Sequence, residues 1–132
     1  MDAATAQFVR QRAGDRCEYC RLSQEHSALR FHIEHVVARQ HGGGDTPDNL
    51  ALACPECNYQ EGPNLTGVDP DTGKVTVLFH PRRDRWEEHF ARDGSRIVGK
   101  TPEGRTTVWL LEMNSSDRCR LRELLLRLGL LE

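Results

Sequence analysis

Long hydrophobic runs are missing from this sequence. None approaches the roughly 20 apolar residues that a membrane-spanning helix requires, and no charged segment leads into an apolar one at the N-terminus as it would in a secretion signal. These absences argue against a membrane among the partners and make a cytoplasmic chain the expectation. An excess of positive charge is missing too: 18 lysines and arginines face 20 acidic residues, for a formal net charge of −2. The chain as a whole therefore does not attract nucleic acid, and any nucleic-acid site must come from local clustering of arginine and lysine. Repeats and low-complexity tracts are also absent. The remaining composition, 37% hydrophobic and 29% charged over 132 residues, is that of one globular domain or a small domain with an extension.

Cysteine is not scarce. Of the five cysteines, four fall into matched pairs, Cys17-Glu-Tyr-Cys20 and Cys54-Pro-Glu-Cys57. In a reducing compartment they are poor disulfide candidates, and two C-x-x-C pairs read as a metal site. Each pair places both sulfurs on one side of a tight knuckle whose backbone amides can donate to sulfur, so four thiolates close a tetrahedron around Zn²⁺. A closed four-thiolate site leaves no position for a substrate water, which makes this zinc structural. The insert from Arg21 to Ala53 is longer than the roughly 15 to 20 residues of a simple zinc ribbon and must be a structured excursion. Cys119, left over in a helical pattern, reads as a small core or surface residue.

Local patterns predict the elements. Asp2 to Arg12 reads as a short helix stopped by Gly14-Asp15 and bracing the metal site. Phe31 to Val37 reads as a strand, 41–48 as turn chemistry, and Leu50 to Ala53 as a short extended piece. Pro55 suits the first turn of a helix ending near Gly62-Pro63. Beyond Pro63 a loop leads into an alternating strand, Lys74 to Phe79, and a charged helix over Arg82 to Ala91. A short strand at Arg96 to Val98 follows, then a helix capped by Thr101-Pro102-Glu103 and a leucine-rich helix from Ser115-Ser116-Asp117 to Gly129. In that last helix Leu121, Leu124, Leu125 and Leu128 form a core face, or alternatively a face for a second copy of the chain. The division is drawn at 1–62 and 63–132.

The excursion between the knuckles carries His32, Glu34, His35 and Asn49, with Asn58 directly after the last paired cysteine. Taken together, C-x-x-C, His32-Ile-Glu-His35, the glycine loop, Asn49-Leu50 and C-x-x-C-Asn58 resemble the HNH endonuclease family with its ββα-metal, or His-Me finger, core. The resemblance covers roughly Arg16 to Gly62. The expected fold is therefore α+β: a ββα-metal core with structural zinc knuckles, followed by a small α+β extension. The stretch Phe79 to Phe90 also resembles an extension found in one group of bacterial HNH proteins, without implying an activity.

The resemblance implies roles for single residues. His35 matches the general base that activates water, a task suited to an imidazole near neutral pH. Glu34 matches the acidic ligand of a catalytic Mg²⁺ or Mn²⁺ and Asn58 its second ligand, while Asn49 matches the central asparagine that ties the loop to the opposite strand. Glu34 and His35, as strand neighbours, can serve different ends of one reaction only where the backbone twists or the strand ends. His32 stands open between assisting the metal or phosphate and a structural role. Arg39, His41, Arg82, Arg83 and Arg85 are nucleic-acid contact candidates, with Trp86 offering a stacking face. The mixed signs at Arg82, Asp84, Arg85, Glu87 and Glu88 instead favour a salt-bridged helix with Trp86 and Phe90 turned to the core. His41 reads first as a solvated loop residue, and His26, His80 and His89 as surface or packing residues.

Two departures separate this chain from the family pattern: Glu34 stands where Asp is more frequent, which keeps the carboxylate and adds a methylene, and the other reverses a charge. A lysine commonly stands three residues after the helical asparagine, and Glu61 occupies that place here. It is either a solvent-facing helix residue or a change in substrate binding. The main expectation is an enzyme, a metal-dependent endonuclease acting on DNA phosphodiester bonds. The rival is a zinc-stabilised nucleic-acid or protein-binding module that hydrolyses nothing. Glu61 favours the rival; Glu34, His35 and Asn58 together favour the enzyme.

Overall fold

The computed structural model describes residues 1–131. The chain divides into two compact units, one formed by Met1–Leu65 with His80–Asp84, the other by Thr66–Phe79 with the chain from Arg85 onward. The return of 80–84 to the first unit has no signal in composition. It depends on a side-chain contact described below.

The first unit begins with helix α1, Ala3–Arg12, capped by the Asp2 carboxylate, which accepts from Thr5 N at 2.7 Å. The helix buries Val9 and lies against the hairpin formed by β1, His32–His35, and β2, Leu50–Ala53. Three bonds fix it there: Arg10 donates to Phe31 O, and Arg12 donates to Pro47 O and Leu50 O. The helix thus braces the hairpin directly.

The hairpin is antiparallel, pairing His32 with Ala53, Ile33 with Leu52, Glu34 with Ala51 and His35 with Leu50. All four residues of β2 are buried, because this strand is covered on both faces rather than on one. Helix α2, Pro55–Glu61, follows at once, with Cys54 as its N-cap and proline at its first position. Two strands and a helix in this order, with one knuckle before the first strand and the other at the start of the helix, make the ββα core.

The second unit holds two further hairpins, β3, Thr66–Val68, with β4, Val75–Val77, and β5, Phe90–Asp93, with β6, Arg96–Gly99. It also holds α3, Trp86–His89, α4, Pro102–Leu110, and α5, Ser116–Arg127. Its core gathers Phe79, Phe90, Ile97, Leu111, Met113 and Leu125. Phe90 packs between Phe79 and Trp86, at ring separations of 5.0 and 5.2 Å.

Two expectations for this region fail. The charged helix is a single turn at Trp86–His89, because 81–84 form turns and Phe90 already pairs as strand. Of the leucine face, Leu125 is buried, whereas Leu124 and Leu128 are exposed. The inward position belongs partly to Arg122, which is buried and donates to Ser95 O and Met113 O. A buried guanidinium that bonds two carbonyls substitutes for an apolar contact, and this is invisible to a periodicity argument.

Candidate active site

Four sulfurs come together first. Cys17, Cys20, Cys54 and Cys57 are all buried, and their sulfurs lie within 4.8 Å of one another. A zinc–sulfur bond of about 2.3 Å in a tetrahedron requires sulfur–sulfur edges of about 3.8 Å; Cys20 Sγ and Cys54 Sγ are 3.7 Å apart. Within each knuckle the last cysteine's backbone N–H points at the first cysteine's sulfur, 3.5 Å from Cys20 N to Cys17 Sγ and 3.4 Å from Cys57 N to Cys54 Sγ. Burial pushes the Cys17 and Cys57 thiols well above their ordinary pKa, so a metal must displace protons to hold them as thiolates. The geometry suits zinc, and it joins the segment before β1 to the start of α2.

Glu18, inside the first knuckle, makes the contact that draws 80–84 into this unit. One carboxylate oxygen accepts from Leu52 N at 2.8 Å, and the other forms a close ion pair with Arg82. Both side chains are largely buried, at 10% and 14% exposure. Burial lowers the Arg82 pKa to about 10. Arg82 is therefore engaged in the knuckle and is not a free phosphate contact. Arg83 beside it lines a cleft of about 670 Å³ with Arg12, Val37, Asn49 and His80. Arg85 belongs to the second unit, where its side chain is largely exposed and 4.0 Å from Glu88.

The loop between the strands is held by Asn49. Its side-chain oxygen accepts from Val37 N at 2.9 Å, and its amide donates to Val37 O at 3.0 Å and to Gly44 O at 2.9 Å. Gly43 lies under this clamp: a Cβ there would sit 1.7 Å from Val37 O. Gly42 adopts φ +88°, open to glycine and strained for other residues. The glycine run is thus a backbone requirement of the clamp at two positions, while Gly44 faces open space.

The clamp sets the loop against His35, the last residue of β1. His35 Nε2 lies 2.6 Å from Asp45 Oδ1, which also accepts from Arg39 at 3.0 Å. Hydrogen bonds from His35 and then Arg39 lower the Asp45 pKa below the ordinary carboxylate value. An ionised carboxylate only accepts, so Asp45 selects the tautomer of His35 that carries its proton on Nε2 and leaves Nδ1 with a lone pair. Sequence reasoning passed over Asp45, whose place among glycines, threonine and proline reads as turn chemistry alone.

Glu34 points the other way. It is 8% exposed and lies against the Tyr19 hydroxyl and the Glu61 carboxyl, itself 3% exposed. Burial raises both carboxyls well above their usual range, and at Glu61 the neighbouring Glu34 charge adds to it. Burial, followed by the two glutamates, likewise raises the Tyr19 phenol. Glu34 Oε1 is sealed from solvent without a hydrogen bond. Glu61 is therefore not the solvent-facing helix residue its position suggests. Asn58 stands one turn before Glu61 on the same side of α2. An orphaned buried carboxylate oxygen beside a second carboxylate, with an amide a turn away, is oxygen-donor chemistry that fits Mg²⁺ or Mn²⁺.

The structure thus separates the predicted residues into groups. His35 and Arg39 meet at Asp45; Glu34 faces α2, which carries Asn58; Asn49 holds the loop. His32 and His41 are exposed, and neither shares these contacts.

A hairpin and helix closed by a four-cysteine site, with a histidine ending the first strand and an asparagine on the helix, define a ββα-metal domain. Residues 17–64 match the family model described as HNH endonuclease. The chain is also 24% identical over 113 residues to Septu protein PtuB of Bacillus thuringiensis, an alignment covering 80% of this chain and 39% of the relative. It therefore spans about two fifths of that relative's length. No solved structure matches the chain significantly.

Proposed function

We propose that the first unit is a metal-dependent endonuclease hydrolysing phosphodiester bonds in DNA. The observation that carries this reading is the His35–Asp45 pair at the end of β1, 2.6 Å apart, on the strand that also presents Glu34 to α2. Asp45 occupies Nε2, so Nδ1 is the nitrogen that takes a proton from water as the water oxygen bonds to phosphorus. The phosphorus–oxygen bond to the 3′ carbon's oxygen breaks in the same displacement, and that oxygen leaves with the electron pair. Glu34 and Asn58 would hold a divalent ion whose charge stabilises the developing negative charge. Arg39 and Arg83 would contact phosphates, which position the strand without reading its sequence.

Incubation of zinc-loaded protein with supercoiled plasmid and Mg²⁺ or Mn²⁺ tests the reading. Wild type is expected to nick or linearise the plasmid and His35→Ala to leave it intact. Well-folded wild type inactive with both ions would overturn it. One observation favours a second reading, a binding module without catalysis: Glu61 is buried against Glu34 where the family commonly carries a lysine. That reading expects DNA or protein binding without a divalent-ion site beyond the zinc.

A further inference from the structure

We propose that Glu61 is a ligand of the catalytic divalent ion, forming with Glu34 a two-carboxylate site in place of a carboxylate balanced by lysine. The inference rests on the nuclease reading and extends it to a residue whose position implies no such role.

Burial comes first. Two carboxyl groups withdrawn from water must be hydrogen-bonded, paired with a cation or neutralised, because an isolated buried carboxylate is very costly. The groups acting on Glu34 are the Tyr19 hydroxyl and the Glu61 carboxyl; those acting on Glu61 are Glu34, Tyr19 and Cys17. None of them is cationic. Once zinc is bound, the thiolate cluster that includes Cys17 is formally dianionic, which further disfavours ionised carboxylates on this side of α2 unless a cation joins them.

Geometry supplies the second half. Glu34 sits on β1 opposite Ala51, with its side chain turned to α2. Asn58 and Glu61, three apart on α2, share a helix face. Glu34 Oε1 has no hydrogen-bond partner although its residue is 8% exposed, so one lone-pair site of the cluster is unused by the protein itself. A hard cation taking oxygens from two carboxylates and an amide, with water and phosphate completing its shell, lets both carboxyls give up their protons and uses the orphaned oxygen. Tyr19 then acts as a donor that orients the carboxylates.

Mn²⁺ titrated calorimetrically into zinc-loaded protein tests the assignment. Glu34→Gln and Glu61→Gln should each weaken Mn²⁺ binding at least about tenfold, and Glu61→Lys should weaken it further. Terbium is a second probe that needs no change at Glu61. Bound between Glu34 and Glu61 it lies beside Tyr19, so wild type should show tyrosine-sensitised emission that Tyr19→Phe strongly reduces. Zinc content and thermal melting verify each variant's fold. Wild-type Mn²⁺ affinity in Glu61→Gln, or terbium emission unaffected by Tyr19→Phe, would overturn the role of Glu61. If such a protein still nicks plasmid with Mn²⁺, only this assignment falls; if wild type neither binds Mn²⁺ nor nicks, the nuclease reading falls with it.

Discussion

Asp45 Oδ1 lies 2.6 Å from His35 Nε2 and 3.0 Å from the Arg39 guanidinium, so the state of the proposed general base depends on a residue ten positions further along the chain. Replacing Asp45 with Asn removes the fixed acceptor and allows the amide to donate to Nε2, which would move the histidine proton to Nδ1. Asp45→Asn is expected to lower the plasmid-nicking rate about 10- to 100-fold while zinc content and melting stay at wild type; an unchanged rate would assign the tautomer to another contact. A pH effect belongs to this scale as well. Glu34 and Glu61 have folded pKa values raised, by burial first, to about 8 and about 9. Raised carboxyls favour the folded state fully below the ordinary carboxylate pKa of about 4.3, and that contribution is lost as pH rises through the folded values. Without added divalent ions, the urea midpoint of zinc-loaded protein should therefore fall from near neutrality toward pH 9, and Glu61→Gln should flatten the dependence. A midpoint indifferent to pH in wild type would contradict the burial of the pair.

Elements carry a different kind of constraint. The loop from β1 to β2 holds three consecutive glycines, yet only Gly42 and Gly43 are demanded by the backbone, one for a left-handed conformation and one for lack of space against Val37 O. Gly44→Ala should therefore leave stability within about 0.5 kcal/mol of wild type. Gly43→Ala should break the Asn49 clamp, with a loss of about 2 kcal/mol or more from displaced backbone and unmade hydrogen bonds. Denaturant titration of the two variants compares them directly; equal effects would refute the clamp. Composition alone gives no way to rank these glycines, because the distinction lies in what faces each one.

At the scale of the whole molecule, the first unit joins a small core around Val9, Phe31, Leu50 and Leu52 to the four-cysteine cluster, which ties the segment before β1 to α2. Because such a site forms only in the folded chain, metal-binding energy is folding energy. Strong chelation should remove a single zinc per chain and melt the ββα core, seen as lost helical circular dichroism and lost plasmid nicking, with recovery on zinc addition. Retention of the fold by chelated protein would make the cluster dispensable.

Much of this architecture was legible in the residues: paired cysteines at matched spacing, β-branched residues around His32–His35, Pro55 and Pro102 at helix starts, and the asparagine after the last knuckle. These are local signals, set by backbone preference and ligand chemistry, and they act over a few positions. The sequence by itself determined the four-cysteine cluster and the order of the ββα elements, since both follow from spacing and local pattern along the chain, while the candidate for the base came from the resemblance of His32-Ile-Glu-His35 to the HNH motif. Tertiary structure alone decided that Glu61 is buried on Glu34, that Asp45 holds His35, that Arg82 serves Glu18 and that Arg122 takes an inward place on the last helix. Each depends on a partner distant in sequence or across a loop, where the energy of a charged group is set by the neighbours that replace its water.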